Sequence, residues 1–147
     1  MSTVERPRLA LAAEAASLLE MLVAAREDIG LAARFDNSAP YQQWMHQACD
    51  GERVWVVGQS GRVQAMVVLG NRDSAAMNLS YLVVSAEYRR RGLGESLVQH
   101  LQSLEHALRA EPRNSASAAL LAKLGFIDDP HLTDLSGHKI VAWRSNK

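Results

Sequence analysis

The eight residues Tyr88-Arg89-Arg90-Arg91-Gly92-Leu93-Gly94-Glu95 constrain this chain more than any other stretch. Before them, Leu79-Ser80-Tyr81-Leu82-Val83-Val84 reads as a strand. After them, Leu93, Leu97, Leu101 and Leu104 recur at helical spacing. Three arginines and two glycines therefore sit at a strand-to-helix junction. The first turn of a helix has unpaired N–H groups and a partial positive charge, which suits phosphate. Glycine lets the backbone approach a ligand closely and take φ > 0 at little cost. Two other phosphate loops fit worse. Leu97 stands where Gly-x-Gly-x-x-Gly needs its third glycine, and the Gly-Lys-Ser/Thr of a P-loop is missing. The plain alternative is a solvated basic turn, with arginines free in water or paired to Glu87 or Glu95.

The rest of the chain supplies a strand-and-helix frame for this junction. Residues 8–11 read as a short edge strand with Pro7 at its start, where a lost donor matters least. A helix is expected over 14–26, with Ala15, Leu18, Leu19, Leu22 and Val23 on one stripe, Glu14 and Glu20 off it, and Gly30 beyond its end. The polar loop 28–39 is a candidate border of a substrate site. Asn37-Ser38-Ala39-Pro40 then starts a helix over 41–49, with Tyr41, Trp44, Met45 and Ala48 on one side and Asp50-Gly51 closing it. Val-rich runs at 53–57 and 62–69 flank Gly58-Gln59-Ser60-Gly61 as a hairpin. Residues 70–74 read as a second turn, and 78–84 as the next strand of an antiparallel meander. Beyond the Gly92 helix come a strand at 107–111 ending at Pro112, and a helix over 115–124 capped by Asn114 or Ser115 and stopped by Gly125. Phe126-Ile127 begins an extended segment, Asp128-Asp129-Pro130 turns the chain, and Gly137 precedes a last strand over 138–143. The sum is an α/β (α+β) domain: a mixed, mostly antiparallel sheet flanked by helices.

At 147 residues the whole chain, 1–147, suits one domain with one sizeable core. Lys plus Arg and Asp plus Glu balance at 16 each, which disfavours duplex nucleic acid and anionic membranes as partners. Cys49 is the only cysteine, so no disulfide framework or Cys-based zinc site is expected, and the dispersed His131 and His138 suggest no metal. No apolar run reaches the length of a membrane span and residues 1–7 lack a signal-peptide pattern, so a cytoplasmic location is expected.

Arg89-x-x-Gly92-x-Gly94 after the 79–84 strand matches the acyl-CoA-binding signature of the GNAT family of N-acetyltransferases. Downstream, Asn114-x-x-Ser117-x-x-x-Leu121-x-x-x-Gly125-Phe126 resembles that family's second signature, Asn-x-x-Ala-x-x-x-Tyr-x-x-x-Gly-Phe. The resemblance implies a GNAT-like acyl-CoA N-acyltransferase fold whose fourth and fifth strands splay apart. It implies acetyl-CoA as acyl donor, with the backbone of Leu82, Val83 and Val84 against the pantetheine arm. A strand N–H would stabilise the developing oxyanion. The amides of Arg90, Arg91, Gly92, Leu93, Gly94 and Glu95 would wrap the pyrophosphate, with Arg89 at a phosphate and Asn114 beside the pantetheine. An amine would attack directly in a ternary complex.

Two departures concern proton transfer. Leu121 stands where the family's tyrosine protonates the leaving thiolate, and Arg109 stands where some relatives carry a catalytic glutamate. Glu111 follows two residues on, and becomes the candidate general base; an ordinary strand-end carboxylate is its plain reading. His106 is a weaker base candidate of the same kind. Tyr81 is a candidate for ordering water or relaying a proton. Strict alternation puts it on the face opposite Asn78 and Ser80, which are candidates for the same task. Asn114 is either a helix cap alone or a cap that also touches ligand. Cys49, with His46 one turn before it, reads as a buried small hydrophobe rather than a nucleophile. Trp44 and Trp55 read as core, with the helix of Trp44 a candidate acceptor wall. The leading expectation is transfer of acetyl to a small-molecule or peptide amine. A CoA-binding sensor or interaction module with weak or no catalysis is the alternative, and a homodimer is compatible with the fold.

Overall fold

A computed structural model of the protein describes residues 6–29, 35–72, 76–133 and 139–146. The expected helix stop at Gly30, the turn residues Asp73 and Ser74, Gly137, and His138 at the start of the expected last strand lie outside them. The strands are β1 (Arg8–Leu9), β2 (Val54–Gln59), β3 (Arg62–Arg72), β4 (Met77–Val84), β5 (Ala107–Ala110), β6 (Ile127–Thr133) and β7 (Lys139–Arg144). The helices are α1 (Ala15–Ala25), α2 (Ala39–Asp50), α3 (Leu93–Leu104) and α4 (Ser115–Lys123). All the strands join one sheet in the order β1-β2-β3-β4-β5-β7-β6. Neighbours run antiparallel except β4 and β5, which are parallel.

Alternation along the strands gives the sheet two apolar faces, and each is covered by a helix pair. Leu18, Leu19 and Leu22 of α1 and Met45 and Ala48 of α2 pack on Val54, Val56, Met66 and Val68. On the other face Leu97, Val98 and Leu101 of α3 and Leu121 of α4 pack on Val57, Ala65, Val67 and Leu108. The helical stripe expected for α3 stops short of Leu104, which is 54% exposed on the last turn.

Glu14 is not on a solvated face. It is 5% exposed, in a short 3-10 turn over Ala12–Glu14 that leads into α1. Its carboxylate takes both Nη atoms of Arg8 at 2.8 and 2.9 Å and the Leu11 N–H at 2.8 Å. Residues 70–72 continue β3 rather than turning. The register slips there, and a Cβ on Gly70 would stand 2.5 Å from Ser80 Oγ. Glycine marks a close approach between strands at that point, not a turn. Asp128, Asp129 and Pro130 likewise belong to β6. β6 is an edge strand, where proline's missing N–H costs least.

Glu14 and His100 make the fold acid-sensitive. The hydrogen bond from Arg8, helped by the Leu11 N–H, holds the Glu14 carboxyl below its usual range despite burial. Burial lowers the His100 pKa from its usual 6.5, and the ring lies tilted against Trp55 with centroids 4.5 Å apart. In each case the unfolded chain binds its proton at a higher pH than the folded chain, so stability falls as pH falls. The His100 effect begins below 6.5 and the Glu14 effect below 4.5. Urea unfolding is therefore expected to show constant stability above about pH 7.5 and a progressive loss down to about pH 4. Glu14→Gln should flatten the lower limb and His100→Phe the upper one. Stability that stays level or rises on acidification contradicts the assignment.

Candidate active site

β4 pairs with β5 only through Met77, Asn78 and Leu79. β5 ends at Ala110, so from Ser80 onward the β5-side edge of β4 has no sheet partner. A cleft of about 650 Å³ opens along that edge. Leu82, Val83 and Val84 line one wall, the Arg89–Glu95 loop closes one end, and Asn114, Ser115, Ser117 and Leu120 of the α4 segment form the other wall. The Val83 side chain is buried in the core under α1 and α2, and Ala25 and Ile29 of that same core also line the cleft. A strand edge bare of partners can take up an extended amide-bearing ligand by strand-like hydrogen bonds.

The closed end has the geometry of an anion cradle. Arg90 and Gly92 both take left-handed backbone, with φ of 66° and 78°. The first helical bond of α3 runs from Ser96 N to Gly92 O, so Leu93, Gly94 and Glu95 keep their N–H groups outside the helical ladder. A Cβ on Gly92 would meet nothing within 4 Å, so conformation rather than crowding demands glycine there.

The side chains around the cleft are tied down by contacts the motif does not contain. Arg89 Nη2 lies 2.8 Å from Asp28 Oδ2, just beyond α1, and its Nε donates to Val84 O at 3.4 Å. Glu95 pairs with Lys123 at 3.0 Å, bridging α3 to α4, and not with an arginine. Arg91 lies over the Tyr88 ring at 5.5 Å and is absent from the cleft lining. Asn114 caps α4 by accepting the Ser117 N–H at 2.8 Å, and its Nδ2 donates to Asp28 O at 3.2 Å. It therefore caps and lines the cleft at once. Asp28 reaches both walls, and no local pattern in the sequence marks it.

The proton-transfer candidates lie outside this cleft. Glu111 lines a separate groove of about 670 Å³ with Pro112, Arg113 and α4. Its Oε2 is 3.6 Å from Arg113 Nη1. Tyr81 faces α2. The pairing of Val68 with Tyr81 and of Leu69 with Leu79 leaves Ser80 as an extra residue in β4. That bulge reverses the alternation, so Tyr81 and Ser80 open on the same cavity and not on opposite faces. Arg113 connects the two candidates, since its guanidinium also lies 5.2 Å over the Tyr81 ring. Its Nε is buried without a partner among the described residues. Sequence reasoning passed over Arg113; its one signal was its place beside the Asn114 cap. Leu121 is 4% exposed in the core and does not line the cleft. His106 is exposed at the start of β5. Cys49 is buried, and burial, then the charges of Glu14 and Asp50, push its thiol up to about 11, which removes it as a nucleophile. His46 pairs with Asp50 at 3.5 Å. Among the described residues no His/Cys/Asp/Glu cluster could hold a metal, and no helix is long and apolar enough to cross a membrane.

Solved structures share this architecture. An acetyltransferase of the GNAT family from Bacillus cereus superposes with a TM-score of 0.71 at 16% identity, over 99% of this chain and 100% of that one. The PaiA N-acetyltransferase of Thermoplasma acidophilum, solved with coenzyme A, gives 0.69 at 14% identity over 98% and 100%. A polyamine N-acetyltransferase of Drosophila melanogaster, which forms N-acetylagmatine, gives 0.69 at 16% over 95% and 99%. No curated protein matches the sequence. The profile of the acetyltransferase (GNAT) domain matches residues 50–128, from the end of α2 through the cleft and α4 into β6. That match spans more than half of the chain and contains both signatures, so the chain belongs to the GNAT family of acetyltransferases, which take their acetyl group from acetyl-CoA.

Proposed function

We propose that this N-acetyltransferase moves acetyl from acetyl-CoA to a primary amine by direct attack in a ternary complex. The observation that carries this reading is the continuity of one cleft from the bare edge of β4 to the open N-terminus of α3. The pyrophosphate would sit on the amides of Arg90–Glu95, with Arg89 exchanging Asp28 for a phosphate. Pantetheine would run along Leu82, Val83 and Val84 beside Asn114, and carry the thioester toward the Ser80 bulge. A β4 N–H near the bulge would then stabilise the oxyanion as the amine nitrogen attacks the carbonyl carbon. The C–S bond breaks, the amide forms, and CoA leaves as thiolate.

The amine proton would leave through water ordered by Ser80 and Tyr81, with Glu111 as its candidate acceptor. The thiolate would take its proton from solvent in the open cleft, because the buried Leu121 offers none. A thiol pKa of roughly 8.5 makes thiolate a tolerable leaving group, and loss of one general acid typically costs about 10²–10⁴-fold rather than all activity. The neighbours that acetylate small amines support a small-molecule acceptor, and a peptide amine is the next in line. The reading includes one domain over 1–147, a cytoplasmic location, no nucleic-acid or membrane partner, and a fold compatible with a homodimer.

Leu121 also favours a second reading, a CoA-binding sensor or interaction module with little catalysis. Calorimetry with acetyl-CoA and thiol release against an amine panel separate the outcomes. Binding with thiol release above the hydrolysis blank is expected. Binding without release for any amine favours the sensor, and no binding at millimolar acetyl-CoA sinks both.

A further inference from the structure

A second cavity, of about 600 Å³, lies on the α2 side of β4, next along the strand from the cleft. Four aromatic rings surround it. Phe35 is the hub, with centroids 5.1 Å from Tyr41, 5.5 Å from Trp44 and 5.2 Å from Tyr81. Its polar lining includes Ser80, at the β4 bulge, and Arg53, immediately before β2. Among the described residues the Arg53 guanidinium has no hydrogen bond or ion pair, and no acidic side chain lines the cavity.

From this geometry we infer that the acceptor is a small amine carrying a carboxylate on an apolar body, as an aromatic amino acid does. The inference rests on the reading of the chain as an amine acetyltransferase and names its substrate class. An acceptor with a second cation, such as a diamine, calls for acidic side chains; here the described lining is aromatic, with one cation. A guanidinium presents paired N–H donors that match a carboxylate's two oxygens. One unpaired arginine balances one negative charge, which suits a carboxylate better than a dianionic phosphate. Flat aromatic walls favour a flat apolar body. Ser80 and Tyr81, which line this cavity, immediately precede Leu82, which lines the cleft, so the cavity borders the stretch of β4 where the thioester is proposed to lie. Arg53 would act as a specificity residue: it holds the carboxylate and takes no part in bond making.

The test compares two probes that share one body. The full chain, with CoA present, is titrated with L-phenylalanine and with phenethylamine, its counterpart without the carboxylate, and tryptophan fluorescence is read, since Trp44 lines the cavity. A hydrogen-bonded charge pair predicts that phenylalanine binds about 10- to 100-fold more tightly. Arg53→Met keeps the apolar stem and should erase the difference by weakening phenylalanine alone, while Arg53→Lys should restore part of it. The inference is overturned if phenethylamine binds as tightly, if neither probe binds at millimolar concentration, or if the preference survives Arg53→Met. The wild-type comparison decides even where a variant fails to fold. Acetyl-CoA binding is measured separately, so failure of the cofactor reading is distinguishable from failure of the acceptor class.

Discussion

Glu14→Ala is expected to destabilise the protein by about 3–5 kcal/mol, the cost typical of removing one partner from a buried ion pair. The carboxylate receives three hydrogen bonds, two from Arg8 and one from the Leu11 N–H. Arg8 in turn donates from Nε to Gly58 O at 3.0 Å and from Nη1 to Leu9 O at 3.3 Å. One carboxylate therefore holds together edge strand β1, the entry to α1 and the far end of β2. Alanine takes the carboxylate from the guanidinium, which keeps its bonds to Gly58 O and Leu9 O, and leaves the Leu11 N–H without its acceptor. The Arg8 side chain is 33% exposed against 6% for Glu14, so water relieves part of the loss and the lower half of the range is expected. Urea unfolding at neutral pH measures it. The double variant Arg8→Met/Glu14→Met should be more stable than Glu14→Ala, because it leaves no buried charge unpaired. A single-variant loss below about 1 kcal/mol would mean that the pair is as inconsequential as an ordinary surface bridge.

That pair also shows where sequence reading reaches its limit. Helix spacing placed Leu18, Leu19 and Leu22 in the core correctly, because periodicity records which face meets the sheet. The same spacing could not reveal that Glu14 turns inward, since the reason is Arg8 on a different element. The bulge at Ser80 is another case. Alternation is a local rule, and one extra residue against β3 reverses it for Tyr81. Asp128-Asp129-Pro130 has turn composition, yet lies in a strand because the sheet ends there. The cleft was legible for a different reason. Its loop is contiguous, so Arg89, Gly92 and Gly94 carry their geometry in their own spacing. Asp28 is 61 positions from Arg89 and 86 from Asn114 and carries no such mark. The Arg113 contacts with Glu111 and Tyr81 are likewise products of tertiary folding.

Gly94→Val is expected to weaken acetyl-CoA binding by about 10- to 100-fold, comparable to losing one charge-assisted hydrogen bond or more. Gly94 is the second residue of α3, buried in the throat between α3, β4 and α4. A Cβ there would lie 3.2 Å from Leu120 Cδ2, 3.7 Å from Val84 Cγ2 and 3.8 Å from Leu82 Cδ2, all residues of the cleft wall. Alanine asks only that the flexible end of Leu120 give by a few tenths of an ångström. Valine adds two methyls in the space where pantetheine and pyrophosphate would have to pass. Overpacking of this kind costs about 1–3 kcal/mol, offset in part by the few tenths of a kcal/mol gained in helix propensity over glycine. The folded variant should therefore remain available for calorimetry. Gly94→Ala serves as the control and should bind within a few-fold of the wild type. A valine variant that is folded and binds acetyl-CoA normally would show that the cofactor takes a path other than the bare edge of β4.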